Sequence, residues 1–267
     1  MISIVVCSID LSMFNRFSKS LSETIGVPFE LIKIENKTEK LSISEAYNNG
    51  ALNARFDYLV FIHEDIVFHT LNWGQNLVWY FETLNNPGLL GIAGNSYQPL
   101  SPSDWWGTLD RTRHFNYIKN GRNGDHSSGI LVKSNDIHPK KVYCIDGIFL
   151  ALKKNVFSKF KFDEELKGFH GYDTSLSLRI SENFDNYFIP NILLEHFSNG
   201  DITKEYWINT ILACKKYKSC QNDFDFNVEY LALKRFVRKS IQNRISFAFF
   251  FRTLLLINSK FIIRIFR

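Results

Sequence analysis

The sequence predicts an α/β domain with a mostly parallel sheet flanked by helices, followed by a basic amphipathic C-terminal helical tail. Three observations carry that prediction. Strand-like runs alternate with helical periodicity along residues 2–94, successive strands stop at polar or acidic residues, and the charge divides sharply near residue 230. Of the 267 residues, 45% are hydrophobic and 22% charged, which excludes disordered, collagenous and disulfide-dense chains. Cys7, Cys144, Cys214 and Cys220 form neither a C-x-x-C pair nor a metal-ligand spacing, the pattern of a reduced, cytoplasmic setting.

Ile2–Cys7 reads as a first strand, and Met1 leads into it without a signal-peptide pattern. Ser12 is the expected cap of a helix through Phe14, Phe17, Leu21 and Ile25, closed by Gly26. A second strand spans 28–34 and a polar loop spans Glu35–Lys40. Ser42 and Glu45 have the spacing of a capping box for a helix reaching Ala54. The third strand, 57–62, stops at His63-Glu64-Asp65. A helix over 73–84 and a strand over 89–94 complete a fourth unit. Residues 95–128, rich in Ser, Pro, Gly, Asn and Trp, read as long functional loops. Shorter strands are expected around 129–133, 141–145 and 148–152, a helix from Tyr172, a strand near 192–194 and a helix over 204–219. No internal repeat and no interdomain linker interrupts the chain, so residues 1–229 form one domain and 230–267 the tail.

In open parallel sheets, ligands bind beyond the carboxyl ends of the strands. Here those ends carry Ser8-Ile9-Asp10, Glu35-Asn36 and His63-Glu64-Asp65. No G-x-G-x-x-G follows the first strand and no P-loop exists, which disfavours dinucleotide and P-loop chemistry. Two carboxylates directly after an apolar run repel unless a cation or hydrogen-bond donors lie near, and carboxylate with imidazole suits Mg2+ or Mn2+. A plain solvated strand end is the alternative. Asp173, just before an amphipathic helix, gains from the positive helix end and has the placement of a general base, or of ordinary helix N-terminal chemistry. Glu195-His196 ends another strand.

These pieces, in order, resemble the GT-A glycosyltransferases of the family 2 type, most of all a small bacterial branch related to the streptomycin-biosynthesis StrF domain. The matching segments are Ile4–Ser8, Ala46–Gly50, Phe61–Ile66, Ile145–Leu150, Gly168–Asp173 and Leu194–His196, spread over about residues 2–200. The resemblance implies a Rossmann-like nucleotide-diphospho-sugar transferase and an inverting single displacement. By the same resemblance Ser8 and Glu35 lie against the nucleoside with Tyr47 and Asn48 nearby, and Glu64 belongs with Asp65 on the donor side. Asp65 holds a divalent cation, Mn2+ or Mg2+, against the diphosphate, with His196 as a second ligand. Asp173 removes the acceptor proton, and Asp146, Gly147, His170 and Gly171 position the acceptor or the donor sugar. One departure is His63, where the wider family usually has aspartate; it leaves a metal-independent variant open. Trp105 and Trp106 suit a sugar-stacking platform, or pack a loop onto the sheet edge. His114, His126 and His138 have no ligand spacing.

From Tyr230 to Arg267 there are nine Lys or Arg and no Asp or Glu, leaving residues 1–229 with 23 basic and 27 acidic side chains (32 − 9 against 27), a net of −4. Apolar residues alternate with the cations, and Arg252 interrupts the longest apolar stretch, so a helix lying in an anionic membrane interface fits better than a spanning one. A docked or oligomerising helix is the alternative, and no nucleic acid partner is expected. The expected function is therefore transfer of a sugar from a nucleotide-sugar donor to a glycan or lipid-linked acceptor. Such an enzyme would serve bacterial surface polysaccharide synthesis, peripherally at the cytoplasmic membrane face. A metal-dependent nucleotidyltransferase or a non-catalytic nucleotide-sugar or glycan-binding module are the rivals.

Overall fold

The structure is a computed structural model that describes residues 1–107, 110–120, 138–197, 203–216 and 224–265, without the side chains of 260–265. The strand expected over 129–133, His126 and Cys220 lie outside the described residues. Strand β1 (Ile2–Ser8) is buried along almost its whole length because both faces of the sheet are covered. Ile2, Ile4 and Val6 enter one core cluster, and Val5 enters the cluster on the opposite face. Around it the main sheet runs β2-β1-β3-β11-β5-β12-β9. Its members are β2 (Phe29–Glu35), β3 (Tyr58–His63), β5 (Pro87–Gly91), β9 (Lys140–Val142), β11 (Phe149–Lys153) and β12 (Asp185–Phe188). Pairing is parallel for β1 with β2 and β3, and for β5 with β12; β11 and β9 run the other way. The expected α/β fold with a mostly parallel sheet is thus present.

Helices α1 (Leu11–Thr24), α2 (Asn36–Glu39), α3 (Ile43–Leu52), α4 (Trp73–Thr83), α5 (Lys154–Phe160) and α6 (Tyr172–Ile180) accompany the sheet. The capping box is formed: Ser42 Oγ accepts from the Glu45 amide, and Glu45 Oε2 accepts from the Ser42 amide at 2.8 Å. Other expectations are corrected. Asp10, not Ser12, caps α1, accepting from the Met13 amide at 2.9 Å, because the chain is still extended at Asp10. The loop over 35–40 holds the short helix α2, tied by Asn36 to both backbone groups of Leu41. The strand over 89–94 divides at Ile92: β6 (Ala93–Asn95) leaves the main sheet to pair with β7 (His114–Asn116) and β10 (Cys144–Ile145). Strand β12 and helix α5 have no counterpart in the sequence reading.

A third sheet joins β4 (Ile66–Phe68), β13 (Leu194–His196) and β8 (Ile118–Asn120). Helices α7 (Lys204–Lys215), α8 (Phe226–Gln242) and α9 (Phe247–Ile265) follow. The division placed at 229/230 falls inside α8. That helix packs on the body: Phe236 is buried against Trp207 and Ile211, and Glu229 accepts from the Tyr97 hydroxyl and the Leu100 amide. Among the described residues no helix is long and apolar enough to cross a membrane. Cys7 and Cys144 are free thiols.

Candidate active site

Two strand reversals bring the polar residues together. Strand β11 runs antiparallel to β3, pairing Phe149 with Ile62, so the turn Asp146-Gly147-Ile148 lies beside His63, whose amide donates to the Ile148 carbonyl. Strand β13 runs antiparallel to β4 with His196 opposite Ile66, and the Phe197 amide donates to the Asp65 carbonyl at 3.0 Å. His63, Asp65 and His196 thereby gather, with one donor atom from each lying within 4.8 Å of the others. His196 Nε2 stands 3.2 Å from Asp65 Oδ2, and His63 Nδ1 3.8 Å from Asp65 Oδ1.

The state of His63 follows from its other nitrogen. Nε2 is 2.7 Å from the Tyr172 hydroxyl, which donates to the Gly147 carbonyl at 3.1 Å. A carbonyl only accepts, so the tyrosine proton goes there and Nε2–H donates to the tyrosine oxygen. The Nδ1 lone pair then faces Asp65. Burial pushes the His63 pKa down, against the pull of Asp65, and favours this neutral form. Gly147 permits the arrangement, since a Cβ there would collide with the Tyr172 hydroxyl.

Asp173 lies in the first turn of α6, which Gly171 opens at φ +77°, a conformation suited to glycine. Its Oδ2 accepts from the Gly147 amide at 3.0 Å and its Oδ1 from the Thr174 amide at 2.7 Å. Burial first, and Asp146 second, push its pKa up to about 7. Asp146 accepts from the Ile148 amide at 2.8 Å.

His63, Asp146, Tyr172, Asp173 and His196 line a cavity of about 1100 Å³, and Asp65 stands behind the two histidines outside its wall. Of the residues singled out in the sequence, His63, Asp146, Gly147, His170, Gly171, Asp173, His196, Trp105 and Trp106 line it. The Trp105 and Trp106 rings lie 4.2 Å apart, Trp105 buried and Trp106 40% exposed. His170 packs edge-on to Tyr206, and burial lowers its pKa.

The residues expected around the nucleoside are placed apart from this cavity. Ser8 is buried where β1 lies between β2 and β3, and its Oγ has no hydrogen-bond partner. That point is the switch in strand order, where open α/β sheets take ligands. Glu35 is exposed at the end of β2 and paired with Lys33 at 2.7 Å. Tyr47 belongs to the core, ringed by Phe61, Phe162 and Tyr172, and Asn48 clasps both backbone groups of Phe162. The Asn48 amide thus serves folding in this conformation, whereas the Tyr47 hydroxyl is buried without a hydrogen-bond partner. Glu64 turns away from Asp65 and accepts from the Ile9 and Asp10 amides at 2.8 and 3.1 Å, bracing the loop after β1.

Sequence reasoning missed four residues of the cavity wall. Tyr172 hid beside the more conspicuous Asp173. Asp104, Tyr206 and Arg235 form one group: Arg235 meets both oxygens of Asp104 at 3.2 Å, and the Tyr206 hydroxyl donates to Oδ2 at 2.7 Å. Arg235 was legible only as one cation of the basic segment.

The donor set fits a divalent cation: two imidazoles and a carboxylate, one imidazole already turned with its lone pair inward. Mixed nitrogen and oxygen ligands suit Mn2+ better than Mg2+, which prefers an all-oxygen shell.

Comparison with solved structures agrees with this architecture. A mannosyltransferase from Pyrobaculum calidifontis in complex with GDP-Man and Mn2+ is similar at TM-score 0.55 and 10% identity, covering 92% of this chain and 75% of that one. TarS of S. aureus, residues 1–349, gives 0.52 and 10%, covering 90% and 72%. GalNAc-T7 with UDP, GalNAc and Mn2+ gives 0.52 and 13%, covering 75% of this chain; the chain spans 44% of the GalNAc-T7 structure. At such identities the likeness is one of fold, the GT-A fold. A search of curated proteins finds no match. The sequence profile of a glycosyltransferase-like family, in contrast, matches residues 3–224, a span that includes all of β1 but Ile2, together with His63, Asp65, His196 and Asp173. By that match, the chain belongs to the glycosyltransferase-like family.

Proposed function

We propose that the protein transfers a sugar from a nucleoside-diphosphate donor to an acceptor hydroxyl by inverting single displacement. The observation that carries this is the placement of Asp173, His63 and His196 on one cavity, with Asp65 beside the two histidines and Gly147 joining the two sides. The Gly147 amide donates to Asp173, while its carbonyl accepts from the tyrosine that orients His63.

Asp173 accepts the acceptor's proton as that oxygen bonds to the anomeric carbon. The bond from that carbon to the diphosphate oxygen breaks with its electron pair going to the diphosphate. A pKa near 7 matches a base that works near neutral pH, and a positioned base contributes about 10²–10⁴-fold. Asp65, His63 and His196 would hold Mn2+, which supplies Lewis-acid stabilisation of the departing diphosphate. Ser8, with its buried unpartnered hydroxyl, and Glu35 stand on the nucleoside side. The Trp106 face serves the acceptor, a glycan or lipid-linked glycan of bacterial surface polysaccharide synthesis. A lipid-linked acceptor places the enzyme peripherally at the inner face of the cell membrane.

The test is calorimetry with UDP, GDP, CDP, dTDP and their common sugars, with and without Mn2+. Selective binding enhanced by Mn2+ and lost in Asp65→Ala is expected. Folded protein that binds none of these nucleotides refutes the donor reading.

A further inference from the structure

Helix α9 carries a row of large apolar side chains outside the core. Phe247, Phe251 and Leu255 recur four residues apart and so line one face. They are 78%, 50% and 55% exposed, and the two phenyl rings stack at 6.1 Å. A different face is turned inward, where Phe250 and Leu254 pack against the cluster of Trp207, Ile211 and Phe236. The core already has its side of α9, so the exposed row is surplus to folding. Arg244, before this row in the chain, and Arg252, within it, are both exposed and belong to a segment with nine Lys or Arg and no Asp or Glu.

Exposed aromatic and aliphatic side chains among cations with no acid complement an anionic bilayer surface. A second copy fits less well, because a two-fold interface sets this cationic segment against itself. We infer that α9 lies in the plane of an anionic membrane, with Phe247, Phe251 and Leu255 in the acyl boundary and Arg244 and Arg252 on the headgroups. This rests on the membrane placement proposed above and names the surface responsible for it.

The full chain is tested by co-sedimentation with vesicles of phosphatidylcholine alone and of phosphatidylcholine mixed with phosphatidylglycerol. Binding at least about tenfold tighter to the anionic vesicles is expected. The triple variant Phe247→Ser, Phe251→Ser, Leu255→Ser should reduce it at least about tenfold while its unfolding midpoint stays unchanged. Should that variant fold poorly, Arg244→Glu with Arg252→Glu must remove the preference for phosphatidylglycerol. Equal binding to both vesicle types, undiminished binding by the folded variants, or a solution dimer that the triple variant dissolves would overturn the inference. Nucleotide binding on the same preparation, read without lipid, separates this failure from failure of the sugar-transfer reading.

Discussion

Tyr172 and His63 are locked to one another: the histidine Nε2 lies 2.7 Å from the tyrosine oxygen, whose proton is committed to Gly147. The contact decides which imidazole nitrogen faces Asp65. The proposed cation site would therefore depend on a hydroxyl that does not itself ligate the cation.

Tyr172→Phe should accordingly lower Mn2+ affinity by about 10–100-fold, the usual cost of losing a partner behind a ligand. The ring remains to fill the core beside Tyr47 and Phe162, so the fold should lose only about 1 kcal/mol. Calorimetric Mn2+ titration checks this, and an unchanged affinity would dissociate the tyrosine from the site.

In the proposed mechanism Asp173 links catalysis to stability. Its pKa of about 7 in the fold exceeds the ordinary 3.8, so the native state holds a proton that the unfolded chain has released between those values. The stability held by the protonated form is complete below about pH 4 and is lost as pH rises to about 7. Activity should run the opposite way, rising with pH towards a plateau above about 7. Asp173→Asn should lower turnover about 10²–10⁴-fold, leave Mn2+ binding within about twofold, and abolish this part of the pH slope in the unfolding midpoint. Thermal scans from pH 5 to 8 on both proteins provide the comparison.

What the sequence disclosed follows from how local each signal is. The capping box of α3 involves residues three apart, and Asp65, Asp173 and His196 stand at ends of elements, where hydropathy changes abruptly. The Asp104–Arg235 pair spans 131 residues, so no window of sequence contains it. Asn48 shows the same limit, since its amide meets both backbone groups of Phe162, 114 residues away. The split of the 89–94 run at Ile92 was equally silent, because both halves are apolar and only pairing partners separate them.

The tryptophan pair divides into two roles that substitution should separate. Trp105 is 6% exposed, and its carbonyl accepts from Asn95 at 2.7 Å; Trp106 lines the cavity and is 40% exposed. Trp105→Ala should cost about 3–5 kcal/mol. Trp106→Ala should leave stability within about 0.5 kcal/mol and weaken acceptor use alone, read as a raised KM for acceptor at unchanged donor affinity. Equal destabilisation by both would assign the pair to packing.

The last prediction concerns the wall that α8 supplies. Arg235 and Asp104 are each more than nine-tenths buried, so deleting one leaves the other's charge without its partner in low dielectric. Arg235→Ala should cost about 3–5 kcal/mol, whereas Arg235→Met combined with Asp104→Asn should recover much of that loss, since the charge pair itself is worth little against apolar packing. Tyr206 gives Asp104 one further donor, which the asparagine oxygen still accepts. A double-mutant cycle in urea measures the coupling. A large positive coupling means that the C-terminal segment closes the cavity as an integral part of the fold. Additive single costs would mean that α8 rests on the body without holding the Asp104–Trp106 loop in place.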